Sequence, residues 1–167
     1  MKTSRTRGAD AVVAALKRIG AETLFVMSGN QLMPVFDACV GTDLKLVHVR
    51  HEAAAVHMAD AWGRLRGEPG IAMLPAGPGF LNGMSALYSA RMSESPVVVL
   101  SGHAPIASIG KGSFQEMPQA EIAASLCKSS WMVESADDFG PAILQAAAIA
   151  NTGRPGPVHV ALPFDLL

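Results

Sequence analysis

The sequence predicts a three-layer α/β/α domain with a mostly parallel central sheet of about six strands. Short segments that are apolar throughout alternate with segments whose apolar residues have helical spacing. That alternation is typical of parallel strands covered on both faces by helices. The chain has 167 residues, of which 50% are hydrophobic, so it can bury one substantial core. We therefore predict that residues 1–167 form a single domain.

The first part of the chain gives four pairs of helix and strand. Helices are predicted where apolar residues recur every three or four positions, and strands where a short apolar run is closed by turn residues. Gly20 ends the first helix, and Pro34 is tolerated in the first turn of the second. The predicted elements are a helix over residues 7–19, a strand over 23–27, a helix over 31–40, a strand over 44–49, a helix over 51–66, a strand over 70–74, a helix over 80–92 and a strand over 96–101.

After this the periodicity weakens. Residues 103–117 are rich in Gly, Ser and Pro, which predicts a long loop, and long loops inside compact domains tend to be functional. The remaining predicted elements are a short helix over residues 119–126, a strand over 130–134, a helix over 137–150 and a strand over 158–162.

The composition argues against several classes of partner. Charged residues make up 16% of the chain, the formal net charge is -1, and no run of Lys and Arg suggests a nucleic-acid surface. The apolar stretches are too short to cross a bilayer. No apolar run of signal-peptide length follows the basic residues of the segment 1–5, so a cytoplasmic location is expected.

Neither the cysteines nor the histidines show a metal-binding pattern. Cys39 and Cys127 lie far apart and form no CxxC motif, which favours two buried thiols over a disulfide or metal site. His51 and His57 are six positions apart, so one helix would point them in different directions. The sequence therefore predicts no metal ligands.

Glu52 is the strongest catalytic candidate. In a parallel sheet, ligands lie beyond the carboxyl ends of the strands, where residues 28–30, 50–52 and 76–82 fall. Glu52 begins the helix after the second strand, where the helix dipole stabilises a negative charge, although any first-turn carboxylate shares this property. The helix is rich in alanine, and we expect it to be buried on most sides, with Asp60 and Arg64 forming its polar face. Such burial favours a protonated carboxyl group.

Two further segments could contact a ligand. Residues 77–82 contain GxG without the third glycine of a dinucleotide fingerprint, so a nucleotide or flavin site is only an alternative. Two glycines and a proline would let the backbone pass close to a flat ligand, and the following helix would offer free amide donors. The triplet 114–116 in the long loop fits either a solvated turn or a lid with one aromatic side chain and one amide.

Taken together, these motifs resemble the N-terminal, pyrimidine-binding domain of the acetolactate synthase-like thiamine diphosphate enzymes. Each motif alone is modest, but their order and spacing are highly specific. The resemblance extends over residues 8–165. It rests on residues 50–64 for the family's RHE-x-x-A-x-x-x-A-x-x-x-x-R helix, residues 77–82 for GPG-x-x-N, residues 95–102 for the following strand, residues 114–116 with Lys128 for FQE…K, and residues 153–158 for GRPGPV.

The chain departs from the family pattern at three places. The turn after the first strand reads Met27-Ser28-Gly29-Asn30 where the family often has G-x-P-G. Ala76 stands before the GPG motif where Ser or Thr is common, and Phe164 stands where acetolactate synthases usually carry Lys. The resemblance to the broader family is thus closer than the resemblance to acetolactate synthases themselves.

The resemblance implies a cofactor and a role for each motif. The carboxyl group of Glu52 would hydrogen-bond the aminopyrimidine ring of thiamine diphosphate and activate the cofactor, which then serves as electron sink for decarboxylation or carboligation of a small 2-keto acid or related carbonyl compound. The implied cofactor-binding residues are Gly29, Glu52, Gly77, Pro78, Gly79 and Asn82. The implied substrate-side residues are Ser28, Phe114 and Gln115.

Other parts of the active site are expected outside this chain. The sequence has no GDG motif followed at about thirty residues by Asn, so Mg²⁺ and the diphosphate would be bound by a separate domain, and the isolated chain would be inactive. FAD, which acetolactate synthase relatives often bind in a middle domain, is a candidate cofactor of the complete enzyme. We expect a homodimer or higher oligomer, formed through the Glu52 helix and the helix over residues 80–92. The alternatives are a non-catalytic assembly or regulatory module and a nucleotide-binding domain.

Overall fold

A computed structural model describes residues 7–167. The segment 1–5, for which the sequence predicts no signal peptide, lies outside the described residues. The helices are α1 (Gly8–Arg18), α2 (Met33–Cys39), α3 (Glu52–Arg66), α4 (Pro78–Asn82), α5 (Met84–Met92), α6 (Gln119–Ala124) and α7 (Phe139–Asn151). The strands are β1 (Thr23–Val26), β2 (Lys45–His48), β3 (Gly70–Leu74), β4 (Val97–His103), β5 (Ser129–Met132) and β6 (Val158–Pro163).

The six strands form one sheet in the order β2-β1-β3-β4-β6-β5, and every neighbouring pair is parallel. The central strands β3, β4 and β6 are buried along their whole length. Their continuous apolar sequences follow from this position, because both faces of a central parallel strand are covered. The predicted α/β/α fold with a parallel sheet is confirmed.

Two hydrophobic cores lie on opposite faces of the sheet. On one face, α1, α2 and α7 pack over residues such as Leu24, Leu100 and Val160. On the other face, α3, α5 and α6 pack over residues such as Ala72 and Val99. The result is the predicted three-layer arrangement, with a helical layer on each face.

The sheet has a topological switch point between β1 and β3. The helix that follows β1 is α2, on one face, whereas α4 and α5, which follow β3, lie on the other face. The connections therefore diverge at the carboxyl ends of these two neighbouring strands. A crevice at such a point is the usual ligand position in open α/β sheets.

The predicted single helix over residues 80–92 is wrong, because Gly83 divides it into α4 and α5. A Cβ atom at Gly83 would lie 2.5 Å from Cδ1 of Leu74, so the chain passes directly over β3 at this point. The helix predicted from residue 31 likewise starts as a 3-10 turn, Asn30–Leu32, before α2. The residues 104–118 between β4 and α6 form the predicted loop, which includes a 3-10 turn, Ile106–Ser108.

Both cysteines are buried and unpaired, as predicted. Burial raises the pKa of Cys127 to about 12 and also raises the pKa of Cys39, so neither thiol is reactive at neutral pH. Within residues 7–167, no helix has the length and apolar character needed to span a membrane.

Candidate functional site

Glu52 is the first residue of α3, at the ligand edge of the sheet. His51 caps the helix, since its Nδ1 accepts a hydrogen bond of 3.2 Å from the backbone N–H of Ala53. This cap makes the helix begin at Glu52 and places the carboxylate in the first turn, where the helix dipole favours a negative charge. The side chain points inward, and the residue is 7% exposed.

Asn82 donates a hydrogen bond to one oxygen of the Glu52 carboxylate, and the backbone of Gly79 lies close to the other oxygen. The Nδ2 of Asn82 donates a 3.0 Å hydrogen bond to Oε2 of Glu52. A Cβ atom at Gly79 would lie 2.9 Å from Oε1 of Glu52 and 2.8 Å from Cβ of Pro75, so only glycine lets α4 approach this closely. A buried carboxylate with one side-chain donor still has lone pairs for a ligand.

The turn after β3 is packed between the turn after β1 and the long loop. A Cβ atom at Gly29 would lie 2.6 Å from Cβ of Pro75. Gly77 has φ +58° and ψ −120°, a conformation that side chains disfavour, and its added Cβ would lie 2.8 Å from the backbone oxygen of Gln115. Gln115 itself has φ +60°, uncommon for a residue other than glycine. Backbone strain of this kind clusters at functional sites.

Gln31 joins the same group of side chains, although no sequence motif predicts a role for it. The residue is 5% exposed, and its Nε2 donates a 3.1 Å hydrogen bond to Oε1 of Gln115. Its own Oε1 is buried without a hydrogen-bond partner among the described residues. A buried acceptor without a donor costs about 1–3 kcal/mol, so the position suits a ligand that supplies one.

The remaining predicted site residues are more exposed. Ser28 and Pro78 are both accessible at the ligand edge, and Phe114 is 75% exposed in the long loop. Glu116 fixes this loop from within, because its carboxylate accepts hydrogen bonds from the backbone N–H groups of Gly110 and Ser113, at 2.6 and 3.0 Å. Those two donors lower the pKa of Glu116.

Residues 6–122 match the family model described as "Thiamine pyrophosphate enzyme, N-terminal TPP binding domain". This match covers more than half of the chain and includes α3, α4 and the long loop. The chain belongs to this family. The resemblance drawn from the RHE, GPG and FQE motifs is thereby confirmed, and the domain is the N-terminal domain of a thiamine diphosphate-dependent enzyme.

Curated relatives of the thiamine diphosphate-dependent domain are found in animals and microorganisms. The 2-hydroxyacyl-CoA lyase 2 of Bos taurus is 39% identical over 166 residues, which cover 99% of this chain and 26% of that protein. The 2-hydroxyacyl-CoA lyase 2 of Danio rerio is 36% identical over 166 residues, which cover 99% of this chain and 27% of that protein. The probable acetolactate synthase large subunit of Methanocaldococcus jannaschii is 35% identical over 160 residues, which cover 96% of this chain and 27% of that protein. The chain thus spans about a quarter of the length of these relatives.

The side chains at the switch point are chemically compatible with a flat polar heterocycle, such as one ring of thiamine diphosphate. The glycines at positions 29, 77 and 79 lie where any side chain would collide with Pro75, Gln115 or Glu52, so the turns around Glu52 are closely packed. Glu52 supplies a buried carboxylate at one side, and Gln31 supplies an unpaired acceptor at another. A flat heterocycle with ring nitrogens and an amino group offers the complementary donors and acceptors.

Two expectations about this region need correction. Asp60 is not on a polar face but is 4% exposed, and it accepts a hydrogen bond from Ser95, while Arg64 pairs with it at 3.0 Å as predicted. Helix α3 is not buried on most sides of this chain, since Leu65 is 87% exposed.

His159 lies beneath α4 in a fully buried position. Its Nε2 and Nδ1 are each 2.8 Å from a hydroxyl oxygen, that of Ser101 and that of Ser130, and its ring lies 4.5 Å from that of Phe80. Burial, reinforced by the nearby charge of His103, lowers the pKa of His159 to about 3. Among the described residues, no group of three or more His, Cys, Asp or Glu side chains is arranged to hold a metal ion.

This buried histidine predicts a pH-dependent stability. Because the pKa of His159 is lower in the folded chain than its ordinary value of 6.5, only the unfolded chain takes up the proton as the pH falls below that value. The contribution of neutral His159 to the free energy of unfolding is therefore complete above about pH 6.5 and is lost as the pH falls toward 3. We expect chemical denaturation to show a loss on the order of 2 kcal/mol between pH 7 and pH 5.

The variant His159→Phe should be less stable at pH 7, since two serines lose a partner, and its stability should depend less on pH. The exposed His57→Phe variant should keep the pH dependence of the unmodified protein. Identical pH dependence in His159→Phe and the unmodified protein would contradict the assignment.

Proposed function

We propose that this chain is the pyrimidine-binding half of a thiamine diphosphate-dependent lyase or carboligase acting on a 2-keto acid or related carbonyl compound, with Glu52 activating the cofactor. The observation that carries the proposal is the placement of Glu52. Its carboxylate is buried at the switch point, accepts a 3.0 Å hydrogen bond from Asn82, and lies so close to position 79 that an added Cβ there would be 2.9 Å from Oε1.

In this proposal, each protein group has a distinct task. Glu52 shares a proton with the aminopyrimidine ring, while Asn82 keeps the carboxylate in the geometry that reaches the ring. The backbone at Gly29, Gly77 and Gly79 borders the flat heterocycle. When bound, thiamine diphosphate supplies the electron sink that decarboxylation and carboligation need. The protein therefore contributes orientation and one proton-exchanging group, and the cofactor contributes the carbon chemistry.

The substrate side would be formed by polar side chains and one aromatic side chain on the turn after β1 and on the long loop. Ser28 and Phe114 are exposed there, and the amides of Gln31 and Gln115 are bonded to each other. The unpaired Oε1 of Gln31 suits a hydroxyl or amino donor on the bound molecules. Two substrate classes are to be examined: 2-keto acids, which the resemblance of the motifs implies, and 2-hydroxyacyl-CoA thioesters, which the name of one group of relatives gives.

The test of the proposed function uses the full-length protein with thiamine diphosphate and Mg²⁺. Release of CO₂ or an aldehyde from a panel of 2-keto acids and 2-hydroxyacyl-CoA thioesters, dependent on the cofactor, would support the proposal. Saturable binding of a nucleotide or flavin without binding of thiamine diphosphate would overturn it in favour of a nucleotide site. If the protein bound none of these ligands, the result would favour a role for the domain as a non-catalytic assembly or regulatory module.

We predict that the 167-residue chain by itself binds thiamine diphosphate weakly. The diphosphate and its Mg²⁺ supply much of the electrostatic attraction, and the motif that would bind them is absent from this sequence. Calorimetric titration with cofactor and Mg²⁺ should show no tight binding to the chain, in contrast to the full-length protein. A sub-micromolar Kd for the chain alone would contradict this division of the site.

We further propose that α3 and α5 form the contact with a second copy of the chain. These helices pack against each other, and their outer surfaces carry the large exposed apolar side chains of Met58, Leu65, Tyr88 and Met92. Leu81, on the adjoining helix α4, is also exposed. A monomer rarely exposes so many apolar side chains on adjacent helices, so a partner surface of the same kind is favoured.

This contact predicts that Tyr88→Asp lowers self-association, because a charge would be buried at the centre of an apolar interface. Light scattering should show the unmodified protein as a dimer or larger oligomer and Tyr88→Asp as a smaller species. The matched control is Val40→Asp, which alters an exposed apolar residue that follows α2 on the opposite face. A strictly monomeric unmodified protein at high concentration would rule out the interface.

A further inference from the structure

Gln119 forms a three-way hydrogen-bonded contact beneath the turn that follows β3. It is the first residue of α6 and is 1% exposed. Its Oε1 accepts a 3.0 Å hydrogen bond from the backbone N–H of Gly77. Its Nε2 donates to Oγ of Ser101 at 2.7 Å and to the backbone oxygen of Gly102 at 3.0 Å. All the hydrogen-bonding atoms of this amide except one acceptor lone pair are therefore used.

The orientation of the Gln119 amide is fixed by backbone groups. The N–H of Gly77 can only donate, and the carbonyl oxygen of Gly102 can only accept. A flipped amide would place donor against donor at Gly77 and acceptor against acceptor at Gly102. The side chain therefore has a single orientation that satisfies both groups.

The orientation of the Gln119 amide also determines which atom donates in each of the next hydrogen bonds of the buried network. Ser101 accepts from Gln119, so its own hydroxyl hydrogen is available to Nε2 of His159, 2.8 Å away. Neutral His159 then carries its proton on Nδ1 and donates to Oγ of Ser130, also at 2.8 Å. Each side chain of this network forms at least one hydrogen bond to the next, and a buried network of satisfied hydrogen bonds is rigid.

We propose that Gln119 is a positioning residue, which holds the Gly77–Gly79 turn at the distance from Glu52 that the pyrimidine ring requires. This inference rests on the proposed function. The turn also packs against Gln115 and the turn after β1, but α4 has only five residues and begins with proline, and the conformation of Gly77 is itself strained. The network supports the segment at two points, since Gln119 binds Gly77 and the ring of Phe80 lies on His159.

The consequence for the site is direct. Gly79, two residues after the N–H that Gln119 accepts, contacts the carboxylate of Glu52. If Gln119 released Gly77, the turn could move relative to Glu52 and Asn82, and the crevice would no longer match a rigid ring. Gln119 would thus affect cofactor binding without touching the cofactor.

The test compares three variants of the full-length protein. Gln119→Met keeps the side-chain length but removes every hydrogen bond. Ser101→Ala removes one of the two acceptors that orient Gln119. Ser130→Ala is the matched control, because it deletes a bond at the far end of the same buried network without contacting the turn. The measurements are the Kd for thiamine diphosphate with Mg²⁺, backbone amide hydrogen exchange of a peptide containing Gly77, and thermal unfolding.

We expect Gln119→Met to raise the cofactor Kd by about tenfold, the equivalent of about 1.4 kcal/mol and close to the contribution of one buried hydrogen bond. Amide exchange at Gly77 should accelerate in the same variant, with or without cofactor. Ser101→Ala should shift both quantities in the same direction by a smaller factor. Ser130→Ala should lower the unfolding temperature but leave the cofactor Kd within about twofold of the unmodified protein.

Equal changes in Kd for Gln119→Met and Ser130→Ala would overturn the positioning role and leave Gln119 as a purely structural residue. If Gln119→Met does not fold, unchanged Kd and amide exchange in Ser101→Ala would overturn the role equally. Failure of the unmodified protein to bind thiamine diphosphate would overturn the proposed function, and the role of Gln119 with it.

Discussion

Replacing Glu52 by glutamine in the full-length protein is expected to lower kcat by a factor on the order of a hundred or more, as removal of a positioned acid–base group does. The introduced amide has the same shape, and its oxygen can still accept the hydrogen bond from Asn82, which spans 3.0 Å in the unmodified chain. An amide cannot exchange a proton with the pyrimidine ring, so the chemical step is affected while the packing remains.

The Kd for the cofactor should change far less than kcat, because the lost interaction matters most as the proton moves. The unfolding temperature should also change little, since the amide can satisfy its neighbours. The matched control is Glu68→Gln, just beyond the opposite end of α3, where the carboxylate forms an exposed ion pair with Arg66 at 2.6 Å. Exposed pairs of this kind contribute little, so activity should be unchanged. A kcat within a few-fold of the unmodified enzyme would make Glu52 an ordinary first-turn carboxylate.

Replacing Gly77 by alanine is expected to weaken cofactor binding by roughly thirtyfold, the equivalent of about 2 kcal/mol. Two independent effects act at this position. The backbone has φ +58° and ψ −120°, which an alanine tolerates poorly, and the new Cβ would lie 2.8 Å from the backbone oxygen of Gln115. Relief of this strain requires the turn to shift, and Gly79 would then move relative to Glu52.

The control for this substitution is Gly20→Ala. Gly20 also has a positive φ, +79°, but no atom lies within 4 Å of its added Cβ, and it follows α1 on the other face of the sheet. It should therefore lose stability from backbone strain alone and keep the unmodified Kd for the cofactor. Calorimetry on the two variants separates the effects. Equal cofactor affinities in Gly77→Ala and the unmodified protein would show that the turn does not border the cofactor.

Much of the fold and part of the site could be predicted from local sequence patterns. Apolar strands such as β3 predict a buried parallel sheet, and residues that follow parallel strands must gather at one edge. Glu52 and Asn82 lie in two such segments, which is why a shared site was expected. Their direct hydrogen bond joins two segments 30 positions apart, and the helix break at Gly83, which lies directly over Leu74, is not visible in the periodicity of the sequence.

The residues that sequence reasoning missed act through long-range contacts. Gln119 is 42 positions from Gly77 along the chain, across a loop without periodicity, so nothing local marks it as a partner of the turn. Gln31 directly follows the turn after β1, which is a weak positional signal, but its unpaired oxygen appears only when burial is known. Asp60 was expected on a polar face because its pairing with Arg64 is local, whereas its burial against Ser95 is not.

The most direct test of the central claim is hydrogen–deuterium exchange at the thiazolium carbon of thiamine diphosphate bound to the full-length protein. This measurement, followed by NMR after quenching, reports cofactor activation separately from substrate binding and product release. If Glu52 activates the cofactor, exchange should be slower in Glu52→Gln than in the unmodified protein by a factor on the order of a hundred or more, with Glu68→Gln unchanged. Exchange in Glu52→Gln at nearly the unmodified rate, with the cofactor fully bound, would contradict the claim.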